Sequence, residues 1–149
     1  MGIVKEGYFK FIVQNTKDHE VVTGFSFAGD VITDYVRGFL FELPCPTSIV
    51  AGSDAVVLQV PINNVRRYIL ERKPDFIAET SSKLLQEAYN HYLDLLVKTP
   101  GERYAELKSR YPGMIESIPK QEIASYLGVS RRQLHRIRET DCDNESSKN

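Results

Sequence analysis

Arg131, Arg132, His135 and Arg136 stand at i, i+1, i+4 and i+5, a spacing that gathers them on one side of a helix. Arginine pairs bidentately with guanine edges and also grips phosphate. A helix with this face could therefore read duplex DNA. Leu134 and Ile137, three residues apart, give the same helix an inward side. Ser130 suits its N-cap, and Gln133 follows three residues later, as a capping box requires. Upstream, Gln121 to Leu127 predicts a short helix with Ile123, Ala124 and Leu127 on one face. Gly128 fits the left-handed turn that ends it, and Val129 can plug that turn. Ala124 is small enough for two helices to approach closely. Pro119 to Arg138 thus reads as a helix-turn-helix, which braces a bare polar helix for the major groove. Arginine-rich faces are more often simply solvated. The small residue, glycine turn, serine cap and inward pair in combination favour DNA.

The basic character is local. The 149-residue chain has a net charge of -1, whereas Pro119 to Arg138 sets Lys120, Arg131, Arg132, Arg136 and Arg138 against Glu122 alone. A neutral body with one basic patch fits a regulator that touches nucleic acid at one place. An apolar fraction of 42%, with 8 Tyr and 7 Phe, is enough to build a core. No apolar run approaches bilayer-spanning length and no signal peptide opens the chain, so a cytoplasmic protein is expected. Cys45 and Cys142 belong to no CxxC pair, so a disulfide framework, an iron–sulfur cluster and a metal site are not expected. Cys142 reads as a free thiol in a polar tail. His19, His91 and His135 form no visible constellation with a cysteine or a carboxylate pair. An enzyme is not expected.

The elements that must position this face follow from periodicity. Ile3 to Val13 is rich in β-formers, Gln14 to His19 is a turn, and Glu20 to Phe27 is the returning strand of a hairpin. Ala28-Gly29-Asp30 turns the chain. Val31 to Leu43 predicts a short helix with a loop, broken at Pro44-Cys45-Pro46. Thr47 to Ala51 and Ala55 to Val60 predict a second hairpin. A helix starts at Pro61 to Asn64 and stops at Lys73-Pro74. Asp75 to Lys98 is the longest periodic stretch. Ile77, Leu84 and His91 recur every seven residues, with Ser81, Ala88 and Leu95 between them, as in a seam that pairs with a second copy. Leu85, Tyr89, Tyr92 and Leu96 form a second apolar strip, available to pack on the β part. Thr99, Pro100 and Glu102 then open a helix that runs to Tyr111.

This order of elements, and the stretches VKEGYFKFIVQNTKDHEVVTGFSF and GERYAELKSRYPGMIESIPKQEIASYLGVSRRQLHRIR, resemble a Crp/Fnr-type transcription regulator of the catabolite activator group. The likeness covers roughly Ile3 to Glu139 and is most specific from Gln121 to Arg138. It implies an α+β fold: a partial cyclic-nucleotide-binding-like β-roll, a long dimerisation helix and a C-terminal helix-turn-helix domain. The corresponding ranges are 1–73, 74–98 and 99–139, followed by a disordered tail over 140–149. By this resemblance Arg131, Arg132 and Arg136 read base edges, with Ser130, Gln133 and His135 helping at bases or phosphates. Lys120 and Gln121 sit near the DNA backbone at a helix N-terminus. Ile77, Leu84, Ala88, His91 and Leu95 form the dimer seam.

The chain departs from the family's pattern in three places. It starts at what resembles mid-roll, which leaves strand edges for a partner to cover. The cassette that grips a cyclic nucleotide corresponds to Gly29-Asp30 up to Cys45-Pro46-Thr47-Ser48, and its phosphate-pairing arginine falls on Cys45. Gly29 and Asp30 remain candidates for effector contact, but no cyclic-nucleotide cofactor is expected. The wing that follows the recognition helix in longer members is absent. The implied function is a homodimeric DNA-binding transcription regulator that reads a two-fold symmetric site with the helix 130–138. The alternative is a truncated sensor or interaction module that dimerises with a relative and binds no specific site.

Overall fold

The computed structural model describes residues 1–146 and divides into two compact units, Met1–Leu85 and Gln86–Asn149. The first unit holds two three-stranded antiparallel sheets. Strands β1 (Gly2–Glu6), β4 (Val31–Ile32) and β6 (Val56–Gln59) form one in the order β4-β1-β6. Strands β2 (Tyr8–Gln14), β3 (Glu20–Phe27) and β5 (Ser48–Ala51) form the other in the order β3-β2-β5. The β2–β3 hairpin is the one expected. The strand expected from Ile3 to Val13 is instead two, one in each sheet, broken at Gly7.

Gly7 has φ 73°, and a Cβ there would lie 2.3 Å from the Asp54 carbonyl oxygen. The chain changes sheets at this residue because glycine alone tolerates both the left-handed turn and the backbone pressed against it. The 52–54 turn crosses beside it, and Ser53 Oγ accepts the Tyr8 N–H at 3.2 Å. The expected second hairpin is corrected for the same reason: β5 pairs with β2, and β6 pairs with β1. Gly7→Ala is expected to destabilise the first unit by ~1–2 kcal/mol or more. Urea unfolding would measure it, and a change under 0.5 kcal/mol would contradict this account of the crossing.

The inner faces of the two sheets bury Val4, Ile12, Val22 and Ile32 with an aromatic cluster of Tyr8, Phe25 and Phe27, whose ring centroids lie 6.0–6.4 Å apart. The helix expected from Val31 to Leu43 is shorter: after β4, a π-helical turn spans Tyr35–Leu40. Asp34 caps it by accepting the Arg37 N–H at 2.8 Å. Arg66 fixes this turn from helix α1 (Ile62–Arg72), donating to the carbonyls of Phe39 and Gly38 and pairing with Glu42 at 2.7 Å. Gly29 and Asp30 serve a turn. Asp30 Oδ2 accepts the Phe27 N–H at 2.8 Å, and Gly29 N–H donates to the Val4 carbonyl at 2.9 Å.

Helix α2 (Phe76–Val97) is continuous over 22 residues and buries none of them. The second unit continues with α3 (Pro100–Arg110), a 3₁₀ turn at Ile115–Ser117, α4 (Lys120–Leu127) and α5 (Arg131–Ser146). Over the expected tail, 140–149, α5 continues through Ser146. No Gly or Pro interrupts the sequence after Arg131, and Lys108 Nζ pairs with Asp141 at 2.9 Å, tying the extension to α3. Residues 147–149 lie outside the described residues, as does the Cys142 side chain. No helix among the described residues is long and apolar enough to cross a membrane.

Candidate nucleic-acid interface

Helix α3 begins with the expected capping box. Glu102 N–H donates to Thr99 Oγ1 at 3.3 Å, and the Glu102 carboxylate accepts the Thr99 N–H at 2.8 Å. The backbone hydrogen bond from Thr99, and then its hydroxyl, hold the Glu102 carboxyl below the usual carboxylate range. The exposed side of α3 is tied to the end of α2, where Lys98 pairs with Glu106 and with Asp94, at 2.9 Å for the latter. These two carboxylates, Glu106 first, push the Lys98 ammonium's pKa up. Tyr104 and Leu107 are buried on the inner side.

Upon α3 packs the helical pair. Ile123, Ala124 and Leu127 of α4 are buried, as are Leu134 of α5 and Ile115 and Ile118 from the connecting turn. Ala124 leaves room for α5, as the small side chain predicts. Gly128 takes φ 67° and ψ 32°, and its N–H bonds the Ala124 and Ser125 carbonyls. The next N–H, from Val129, reaches the Ala124 carbonyl at 3.0 Å. Ser130 then caps α5 reciprocally with Gln133. Gln133 N–H donates to Ser130 Oγ at 3.2 Å, and Gln133 Oε1 accepts the Ser130 N–H at 2.9 Å. Ile137 is half-buried beside Leu134.

This packing leaves Arg131, Arg132, Gln133, His135 and Arg136 exposed along α5, with Lys120 and Gln121 exposed in the first turn of α4. The two helices meet in this surface, since Arg131 Nη2 donates to Gln121 Oε1. His135 Nδ1 lies 3.3 Å from Glu139. Arg136 lines a groove of about 560 Å³ together with Ala105, Val129 and Ile137. All eight expected DNA-contact residues therefore belong to one unit, and Ser130 and Gln133 are largely engaged in holding the helix start. Arg103 is a residue that sequence reasoning passed over. Its guanidinium donates to the Lys98 carbonyl at 3.3 Å and to the Leu127 carbonyl at 3.0 Å. Nothing in its local sequence marks it, because its partners are backbone atoms 5 and 24 residues away.

The expected seam residues of α2 are distributed over different surroundings. Ile77, Ser81 and Leu84 are half-buried on their own unit, where the Tyr35 hydroxyl donates to the Ile77 carbonyl at 3.4 Å and lies 3.4 Å from Ser81 Oγ. His91 stacks on Tyr126 of α4 with centroids 6.4 Å apart. Burial first of all pushes the Tyr126 phenol's pKa above its ordinary value. Ala88 and Leu95 are exposed. The strip expected to pack on the β part is the bare one: Leu85, Tyr89, Tyr92 and Leu96 are 72%, 59%, 57% and 65% exposed. Their spacing of four, three and four is itself a heptad seam. Among the described residues no cluster of His, Cys, Asp and Glu could hold a metal ion.

No family model and no curated protein sequence matches the chain. Solved structures do. FixK2 from Bradyrhizobium japonicum superposes with a TM-score of 0.76 at 20% identity, over 97% of this chain and 75% of its own. A transcriptional regulator ascribed to the crp/fnr family, from Eubacterium rectale, gives 0.66 at 16%, over 95% and 69%. The c-di-GMP responsive global regulator CLP of Xanthomonas campestris gives 0.63 at 16%, over 96% and 77%. The fold is thus that of Crp/Fnr-type regulators, a β-roll followed by a long helix and a helix-turn-helix.

Proposed function

We propose that the chain is a dimeric transcription regulator that reads a two-fold symmetric DNA site with α5. The observation that carries the reading is the exposed row Arg131, Arg132, His135 and Arg136 on a helix braced by α4 and capped by Ser130 and Gln133. Such a helix enters the major groove with its first turns, where arginine pairs with base edges. Lys120 and Gln121 stand at the N-terminus of α4, where free backbone N–H groups favour a phosphate. The fold shared with regulators supports the same reading.

The dimer would form through α2. Its exposed strip of Leu85, Tyr89, Tyr92 and Leu96 is the better candidate seam than the set through Ile77, Leu84 and His91, in which Ile77 and Leu84 are half-buried and His91 stacks on Tyr126. Two recognition helices would then meet half-sites ~34 Å apart.

Selection from a pool of random duplexes tests this. The expected result is enrichment of a two-fold symmetric sequence, lost when Arg131, Arg132 and Arg136 all become Ala. Weak, salt-sensitive and sequence-blind binding would instead favour an interaction module that pairs with a relative. Arg136→Ala alone is expected to cost ~1–3 kcal/mol at one base pair of the selected site. An equal loss on unrelated DNA would mean that Arg136 holds only phosphate.

A further inference from the structure

The first unit has an open cavity of about 740 Å³ lined from both sheets and from the start of α1. Its apolar walls include Phe9, Ile32, Ile49 and Val57. Four polar side chains reach it: Thr33, Asp34, Cys45 and Gln59. Among the described residues no lysine or arginine lines it. The nearby arginines, Arg37 of the π-helical turn and Arg66 of α1, are turned to backbone carbonyls, Arg37 Nε to Pro44 at 2.7 Å and Arg66 Nε to Phe39 at 3.0 Å. The amino group of Met1, also at the edge, lies 3.5 Å from the Val60 carbonyl oxygen.

A phosphate taken into apolar walls needs a cation and several donors to replace its water. The fold family implies a cyclic nucleotide here, and the residues do not fit one. By the resemblance the phosphate-pairing arginine falls on Cys45, a thiol, beside which stand the Asp34 carboxylate and Arg37, the latter held to the Pro44 carbonyl. Partial loss of solvation, and then a hydrogen bond to Asp34, push the Cys45 thiol's pKa up. Asp34 itself is held in place because its Oδ1 caps the π-helical turn.

We infer that this cavity binds a small apolar molecule that is neutral or carries an amine, and that it rejects phosphate-bearing ligands. Apolar walls supply the affinity, as in most small-molecule sites, and Asp34 selects the sign of the charge. The inference is independent of DNA binding, because it concerns a different unit and is read without DNA.

Three probes of one shape test it on the full chain by calorimetry: 1-naphthylmethylammonium, 1-naphthalenemethanol and 1-naphthoate. The expected order is cation first, neutral second and anion last, with saturable binding of the first two and no displacement by cyclic AMP. Asp34→Asn, which keeps a capping oxygen, should reduce the cation's advantage over the neutral probe about tenfold. Cys45→Arg, at an exposed loop position, should weaken the cation about tenfold and bring the anion into range. Displacement by cyclic AMP, tightest binding of the naphthoate, or saturable binding of none of the three would overturn the inference. So would an unchanged probe order in both variants.

Discussion

Leu85→Asp with Tyr92→Asp is expected to leave the chain monomeric and to lower its affinity for the selected two-fold site by roughly 10²–10⁴-fold. Both residues lie on the exposed strip of α2, at 72% and 57% exposure. Their aspartates therefore meet water in a single chain and should change its stability by no more than ~0.5 kcal/mol. In a paired helix they would place four carboxylates in one apolar seam, each without a partner. The loss on DNA is large because one chain carries one α5. Joining two chains makes the second half-site encounter intramolecular, and that gain disappears with the dimer. Sedimentation would follow the oligomeric state, and anisotropy on full-site and half-site duplexes would follow binding. Half-site affinity should be almost unchanged. A variant that remains dimeric would move the seam elsewhere, with Ala88 and Leu95 the next positions to alter.

Arg103→Met is expected to cost the second unit about 2–4 kcal/mol, since each hydrogen bond to a charged group is worth ~1.5–3 kcal/mol. Methionine keeps the packing of the stem and removes the donors. The guanidinium binds the carbonyls of Lys98, just past the end of α2, and Leu127, the last residue of α4. Both are carbonyls that helices leave unpaired at their C-termini, and a cation is favoured there. Its Nε is buried and has no hydrogen-bond partner among the described residues. The residue is therefore retained at a desolvation cost, and its two carbonyl partners offset it. Lysine should rescue only in part, because a single ammonium does not span two divergent acceptors as a planar fork does. Denaturant unfolding gives the magnitude, and hydrogen exchange should locate the loss in α3 and α4 before the β-sheets. A change below 0.5 kcal/mol would show that the Ile123 and Leu134 core alone holds the hairpin in place.

The helix-turn-helix was legible because its determinants are local. Ala124, Gly128, Ser130 and Gln133 each act on atoms within a few residues, and the helix period alone separates Leu134 from Arg136. The capping box of Thr99 and Glu102 is readable for the same reason. The β part was legible as strands but not as sheets. The sequence reads Thr47 to Ala51 and Ala55 to Val60 as strands, while the choice of β2 and β1 as their partners depends on the crossing at Gly7. The extension of α5 past Glu139 was hidden because composition was polar and the tie from Lys108 to Asp141 joins residues 33 apart.

By itself, then, the sequence determined most of the strands and helices, the capped helical hairpin and the arginine face, all of which follow from backbone preference and side-chain period over a few residues. Tertiary structure decided which strip of α2 is bare. Both strips have heptad spacing, and only Tyr35 against Ile77 and Ser81, and Tyr126 against His91, show which one the chain itself covers. It also decided what surrounds Cys45 and Asp34, and hence the charge of the cavity. Periodicity records that a face is apolar, whereas long-range packing assigns the face a partner.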